Sequence, residues 1–72
     1  MVYLVIDGEQ VRSLRQEKGM SQRGLAEASG VSKKTVTDVE AGKVHPQPAT
    51  ARKIAAALGV DSRSLATVAS RA

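Results

Sequence analysis

The residues best suited to binding chemistry form one polar cluster near the middle of the chain, and they are Lys33, Lys34, Thr37 and Asp38. Residues three and four apart are neighbours on a helical surface, so this spacing predicts that the cluster shares one side of a helix. Lysine donates hydrogen bonds to guanine O6 and N7, aspartate accepts one from cytosine N4, and the methyl of Thr35 or Thr37 can contact the methyl of thymine. The cluster therefore predicts a helix that reads base edges in the major groove, with a mild preference for G·C-containing sites.

Each side chain of this cluster also has a simpler interpretation. Lysine is a flexible point charge, and contacts to the DNA backbone outnumber contacts to bases, so Lys33 and Lys34 are also consistent with phosphate contacts alone. Asp38 is equally consistent with a solvated helix residue, because a misplaced carboxylate would repel phosphates. The sequence alone leaves these alternatives open.

Residues 21–42, which hold the cluster, have the pattern of two short helices joined by a turn. Ser21 and Ser32 each stand where a helix begins, because a serine side chain accepts a hydrogen bond from a free backbone N–H of the first turn. Gly30 stands where the first of these helices ends, because glycine tolerates positive φ. The apolar residues expected to face a core are Leu25, Ala26, Val31, Val36 and Val39. The arrangement is typical of a helix-turn-helix unit whose second helix faces outward.

Similar signals divide the rest of the chain. Helices are predicted over about residues 8–18, between Ser21 and Gly30, over 33–41 and over 47–58, with a last short helix that begins at Asp61 or Ser62 and carries Leu65, Val68 and Ala69 inward. The predicted fold class is all-α, with five helices and a short N-terminal β-strand. Residues 1–7 are expected to form an arm, and residues 8–69 the helical domain.

The arm contains a run of β-branched, aromatic and aliphatic residues that ends at Asp7-Gly8, which predicts a strand. One interpretation is an arm that packs on its own helical domain. The other is antiparallel pairing with the same strand of a second subunit, which would cover two exposed edges at once. In that case the dimer interface would be formed by Val2, Tyr3, Leu4, Val5 and Ile6.

Composition favours a polyanionic partner and argues against several other function classes. The chain has 72 residues with 11 Lys and Arg against 7 Asp and Glu, giving a formal net charge of +4 and a pI near 10.0. Tyr3 is the only aromatic residue of the sequence, so binding of single strands or RNA by base stacking is disfavoured. The length fits one small domain, whose thin margin of stability makes a partner subunit plausible.

Metal, catalytic and membrane functions are not predicted. With no cysteine and one histidine, the sequence offers no disulfide and no zinc site, and we expect no cofactor and no small-molecule ligand. Its scattered serines and aspartates do not form a nucleophile, a base and an orienting group, so an enzyme is not expected. The apolar run at the start is too short for a membrane span or signal peptide, and we expect a cytoplasmic protein.

Several segments together resemble a known family. They are residues 11–22 (VRSLRQEKGMSQ), 25–32 (LAEASGVS) and 39–43 (VEAGK), then Pro46, then 54–60 (IAAALGV). In this order they resemble the Cro and phage-repressor class of helix-turn-helix proteins, the lambda repressor-like or XRE family of small five-helix DNA-binding domains. The resemblance covers about residues 11–65. It implies a protein that binds duplex DNA.

The resemblance also implies roles for individual residues. Lys33 and Lys34 would face base edges in the major groove, with Thr37 and Asp38 one turn further along. Arg15 and Glu40 would form a largely buried, structural ion pair. Backbone contacts to DNA are expected from Arg12, Gln22, Arg23, Ser32, Thr35 and Lys43. Two residues depart from the family pattern, since Gly24 replaces a helix former and Ala41 replaces a residue that often contacts the backbone.

These observations predict a sequence-specific transcriptional regulator, in particular a dimeric repressor of the kind found in phages, plasmids or other mobile elements, which acts by occupying a promoter. The alternative from another class is a protein-interaction module of the same fold, such as an antitoxin or a coactivator-like bridging protein. The arm would distinguish the two, because in the alternative it would pair with a different protein.

Overall fold

Three of the four α-helices begin after a residue whose side chain caps the first turn. The structure is a computed structural model that describes the backbone of residues 2–70 and the side chains of residues 5–66. Its elements are β1 (Val2–Ile6), α1 (Gly8–Glu17), α2 (Gln22–Ser29), α3 (Lys33–Glu40), α4 (Pro48–Leu58), a 3-10 turn (Ser62–Leu65) and β2 (Ala66–Ser70). The predicted bounds of the four α-helices agree with the structure to about one residue at each end.

Capping side chains mark the starts of α1, α2 and α3, whereas α4 begins at a proline. Ser21 Oγ accepts a hydrogen bond from the Gly24 N–H at 2.9 Å, and Ser32 Oγ accepts one from the Thr35 N–H at 3.1 Å. Gly30 ends α2 with φ of 75°, a left-handed conformation that residues with a side chain adopt only at a cost. The turn between α2 and α3 is therefore encoded locally.

The core is built from small aliphatic side chains. Its largest fully buried members among the described residues are Leu25, Ile54, Leu58, Leu65, Val11, Val36 and Val39. These residues come from all four α-helices and the 3-10 turn, so each element contributes an apolar face to one cluster. Within the described part of the chain, none of the helices has the length and apolar character needed to cross a membrane.

The predicted helical class is confirmed, but the end of the domain differs from the prediction. The last helix is reduced to the single 3-10 turn, and residues 66–70 form β2, which pairs antiparallel with β1 from Ile6↔Ala66 to Val2↔Ser70. The backbone groups of β1 need hydrogen-bond partners, and a segment with β-branched Thr67 and Val68 supplies them. The expected inward packing of the Val68 and Ala69 side chains lies outside the described residues.

The sheet joins both ends of the helical domain. The Asp7 N–H donates to the Leu65 carbonyl oxygen at 2.7 Å, directly beside the Ile6↔Ala66 pair. One edge of β1 is thus paired within the chain, as an arm packing on its own domain requires. The other edge of β1 is an outer edge of this two-stranded sheet. Pairing with a second subunit through that edge stays a prediction.

The start of α1 lies directly against the end of α3. Gly8 is buried, and a Cβ atom added there would overlap the Val39 carbonyl oxygen and lie 2.9 Å from that of Glu40. Only a residue without a side chain allows this approach. The contact fixes the position of α3 relative to α1, and with it the position of the polar cluster.

Candidate nucleic-acid interface

The polar cluster predicted from the sequence lies on the outer face of α3. Lys33, Lys34 and Thr37 are exposed and Asp38 is half-buried, whereas Val36 and Val39 on the opposite face are buried in the core. The structure therefore brings the predicted base-reading residues together on one surface. Because the inner face anchors the helix, the outer face is a rigid platform.

Two of these side chains already contact each other. Lys34 Nζ lies 3.0 Å from Asp38 Oδ2, one helical turn away, and the Lys34 side chain is 87% exposed. Exposed pairs of this kind are worth only about 0.3–0.5 kcal/mol, so a base or phosphate can displace either partner. Lys33 has no ion pair among the described residues. A DNA ligand would therefore meet the Lys33 ammonium group without first breaking an ion pair.

The N-terminal end of α3 contains two of the residues predicted to contact the DNA backbone, Ser32 at the N-cap and Thr35 in the first turn. Ser32 Oγ donates to Thr35 Oγ1 at 2.9 Å while accepting from the Thr35 N–H. The two hydroxyl groups are thus held together at the N-terminus of α3, where the helix dipole favours an anion. Both side chains remain at the surface, with Ser32 exposed and Thr35 half-buried.

A buried ion pair joins the end of α3 to α1. Arg15 Nε lies 2.8 Å from Glu40 Oε2, and Arg15 Nη2 donates to Glu40 Oε1 at 3.0 Å, so the pairing is bidentate. The side chains are 11% and 4% exposed. Arg15 Nη1 also donates to the Met20 carbonyl oxygen at 2.8 Å, which ties in the loop before α2. The structure thus brings together the two residues expected to form the structural pair.

The hydrogen bond from Arg15 to Glu40 raises the pKa of the guanidinium, partly opposed by desolvation. A raised pKa favours the charged form in the folded state. The stabilisation from Arg15 is therefore present at neutral and moderately alkaline pH and is lost only as the pH rises through the raised value.

Gln22 connects this pair to the outer face of α3. Its Nε2 donates to Glu40 Oε1 at 3.2 Å, and its Oε1 accepts from Thr37 Oγ1 at 3.0 Å. Gln22 was predicted only as a contact to the DNA backbone, and this bridging role was missed. No local pattern could reveal it, because the partners lie 15 and 18 positions away in the chain.

A surface cavity of about 250 Å³ opens beside Gln22 and is lined by Arg12, Arg15, Gln22, Thr37, Glu40 and Ala41. The Arg12 side chain is exposed at this cavity. The small side chain of Ala41, one of the two departures from the family pattern, lines the same cavity. An anionic group entering here would meet the Arg12 guanidinium close to Gln22.

The remaining predicted backbone contacts flank the same surface. Arg23 is exposed in the first turn of α2, next to Gln22. Lys43 is exposed in the loop after α3, where its N–H donates to the Asp38 carbonyl oxygen at 2.9 Å. Basic residues therefore lie on the elements that precede and follow α3. The described residues contain no group of three or more metal-ligating side chains.

Comparison with known proteins identifies this arrangement. The helix-turn-helix family model matches residues 11–65 of the chain, which include α2, α3 and the core around them. The chain belongs to the helix-turn-helix (HTH_3) family. Within this family it is of the XRE and Cro/C1 type, as the resemblance implied.

Individual relatives agree with the assignment. The HTH-type transcriptional repressor RghR of Bacillus subtilis is 42% identical over 59 residues, covering 81% of this chain and 44% of that protein. The controller protein C.AhdI of a restriction-modification system in Aeromonas hydrophila has a TM-score of 0.78 at 38% identity, covering 81% of this chain and 88% of that one. SinR, a master regulator for biofilm formation solved in complex with DNA, has a TM-score of 0.76 at 32% identity, covering 81% and 94%.

This helix-turn-helix domain belongs to a family of DNA-binding transcriptional regulators. The chain spans less than half the length of the curated repressor it matches. In the domain, α2 and α3 form the helix-turn-helix unit, and α3 is the outer helix that carries the polar cluster. In this architecture the second helix of the unit is the one that enters the major groove.

Proposed function

We propose that this chain is a sequence-specific regulator that binds duplex DNA by inserting the outer face of α3 into the major groove, and that it acts as a repressor. The observation that carries the proposal is the two-sided character of α3, whose inner face is buried while Lys33 and Lys34 project from the exposed face. A helix fits the major groove, where donors discriminate guanine by its O6 and N7 atoms.

Contacts to bases and phosphates would divide between two sets of residues. Lys33, Lys34, Thr37 and Asp38 would read base edges. Phosphate contacts, which set the register, would come from residues at the start of α3 and on the neighbouring elements, namely Arg12, Gln22, Arg23, Ser32, Thr35 and Lys43. The net charge of +4 supports attraction to a polyanion. No catalytic step is required, and occupation of a promoter in the cytoplasm would suffice for repression.

The test is removal of the two lysines of α3. A duplex is first enriched from a random pool with the wild-type protein, and its affinity is then measured by gel shift over a range of salt concentrations. We expect Lys33→Ala with Lys34→Ala to weaken binding at least tenfold, on the order of the discrimination that one base-reading side chain provides. Wild-type affinity should fall steeply with salt.

The matched control removes the same charge elsewhere. Lys18 directly follows α1 and Lys53 lies on α4, and both side chains are exposed. Their double replacement by alanine should leave at least a third of the affinity. Equal losses in the two double variants, or a wild-type affinity that does not change with salt, would contradict the proposal.

We further propose that the protein acts as a homodimer through the outer edge of β1. The strand has no charged residue to protect that edge, and uncharged edges tend to pair. A groove of about 200 Å³ lies against both strands and α4, lined in part by Val5, Ile6, Ala51 and Ala66. Two-fold pairing would present two copies of α3 to half-sites about one helical turn apart.

A charge on the strand tests the dimer. Val5→Lys should convert a sedimenting dimer into a monomer and weaken binding to the enriched duplex, because lysine on an edge strand opposes pairing. Ser64→Lys adds the same charge at an exposed residue of the 3-10 turn and should leave the dimer intact. A monomeric wild-type protein, or a Val5→Lys variant that still sediments as a dimer, would refute this interface.

A further inference from the structure

We infer that Gln22 determines which bases Thr37 can read, because Thr37 donates its single hydroxyl proton in a hydrogen bond to Gln22. The inference rests on the proposed function and names a specificity device within it. Thr37 would then meet the major groove with acceptor lone pairs and a methyl group but with no hydrogen to donate. Three consecutive hydrogen bonds, which link Arg15, Glu40, Gln22 and Thr37, determine this polarity.

The direction of these hydrogen bonds is set first at the buried ion pair. The Glu40 carboxylate is held by two N–H groups of Arg15, at 2.8 and 3.0 Å, and an ionised carboxylate can only accept hydrogen bonds. The group of Gln22 that lies 3.2 Å from Glu40 Oε1 must therefore be the NH₂ group and not the carbonyl oxygen. Glu40 thus fixes the orientation of the Gln22 carboxamide.

The orientation of the carboxamide fixes the hydroxyl group. With its NH₂ directed at Glu40, Gln22 presents Oε1 to Thr37 Oγ1 at 3.0 Å. A carboxamide oxygen only accepts, and threonine has a single hydroxyl proton, so Thr37 must be the donor. The hydrogen bond also holds Oγ1 on the side of α2.

This polarity has a consequence for base recognition. Guanine presents only the acceptors N7 and O6 in the major groove, so an acceptor-only Thr37 cannot bond to it. Adenine N6 and cytosine N4 can donate to Thr37, and thymine can contact its methyl group. On the same face, Lys33 and Lys34 are hydrogen-bond donors and favour guanine, whereas Thr37 is an acceptor and favours adenine or cytosine. We therefore expect guanine to be disfavoured at the base that faces Thr37.

The experiment is a double-mutant cycle read out as base preference. The enriched duplex is varied one base pair at a time, and the pair that faces Thr37 is the one whose preference changes in Thr37→Ala. At that pair, Gln22→Leu should reduce the discrimination against guanine about fivefold, the effect of one hydrogen bond. The side chain of leucine fills a similar space but leaves the Thr37 proton free.

The second half of the cycle repeats the change in the Thr37→Val background, where no hydroxyl proton exists. There Gln22→Leu should leave the base preference unchanged. If Gln22 also binds a phosphate, its replacement lowers the affinity for every duplex equally in both backgrounds, so that effect cancels. Gln22→Met serves as a second variant with the same expectation, and thermal unfolding checks that each protein is folded.

The outcomes separate the inference from the proposed function. A uniform loss of affinity, with unchanged preference in both backgrounds, would overturn the inference and leave Gln22 as a phosphate contact of a sequence-specific protein. The same preference change in both backgrounds would also overturn it, because Thr37 would not be the mediator. A wild-type protein without base preference at any position would overturn the proposed function itself.

Discussion

Replacing Gly8 by alanine should lower the free energy of unfolding by about 3 kcal/mol, the upper part of the range for overpacking a tight site. The new Cβ would overlap the Val39 carbonyl oxygen and lie 2.9 Å from the Glu40 carbonyl oxygen. These are backbone atoms at the end of α3, so no rotation of a side chain can relieve the overlap. To make room, α1 must move away from α3, which also pulls Arg15 away from Glu40.

Urea denaturation followed by circular dichroism measures this change, and Gly24→Ala is the matched control. A Cβ at Gly24 would lie 3.3 Å from Ser21 Oγ and meet no backbone atom. Alanine also favours a helix over glycine by about 1 kcal/mol, so the net change should stay below about 1 kcal/mol in either direction. If Gly8→Ala proved no more destabilising than Gly24→Ala, the close approach of α1 to α3 would be refuted.

Removing one partner of the buried ion pair should cost still more. Glu40→Ala leaves the Arg15 guanidinium buried without its counter-charge, and losses of about 3–5 kcal/mol are typical of such sites. It also removes the acceptor that orients Gln22. The loss should be the same at neutral and mildly alkaline pH, because an arginine guanidinium stays charged in both conditions with or without Glu40.

Two comparisons isolate the effect of burial. Asp38→Ala breaks the exposed pair with Lys34 and should cost no more than about 0.5 kcal/mol. Combining Arg15→Met with Glu40→Leu removes both charges and should recover most of the stability lost in either single variant. A single-variant loss as small as that of Asp38→Ala would show that the pair does not stabilise the fold.

The local features of the fold could be predicted because their causes lie within a few residues. Ser21, Gly30 and Ser32 mark the helix ends by cap chemistry and positive φ, and the helices follow. The Arg15–Glu40 pair was expected from the family resemblance, and the polar face of α3 follows from its spacing. The contact of Lys34 with Asp38 also follows from an i,i+4 spacing, but this contact was not predicted.

The features that were missed depend on contacts between distant residues. Residues 66–70 were expected to be helical because a short apolar segment fits either structure, and only its pairing with β1 makes it a strand. Gly8 was predicted to follow the strand and begin the first helix, but the close approach of α1 to α3 that it allows was not predicted. The hydrogen bonds of Gln22 join α2 to two positions of α3, and nothing in either segment alone predicts them.

Nuclear magnetic resonance can show whether the outer face of α3 receives the DNA. Uniformly labelled protein is titrated with the enriched duplex while the backbone amide shifts are followed. We expect the largest shift changes along Lys33–Glu40 and at Gln22, with little change at exposed residues of α4 such as Lys53. Changes confined to α4 and the sheet, with α3 unaffected, would contradict this expectation.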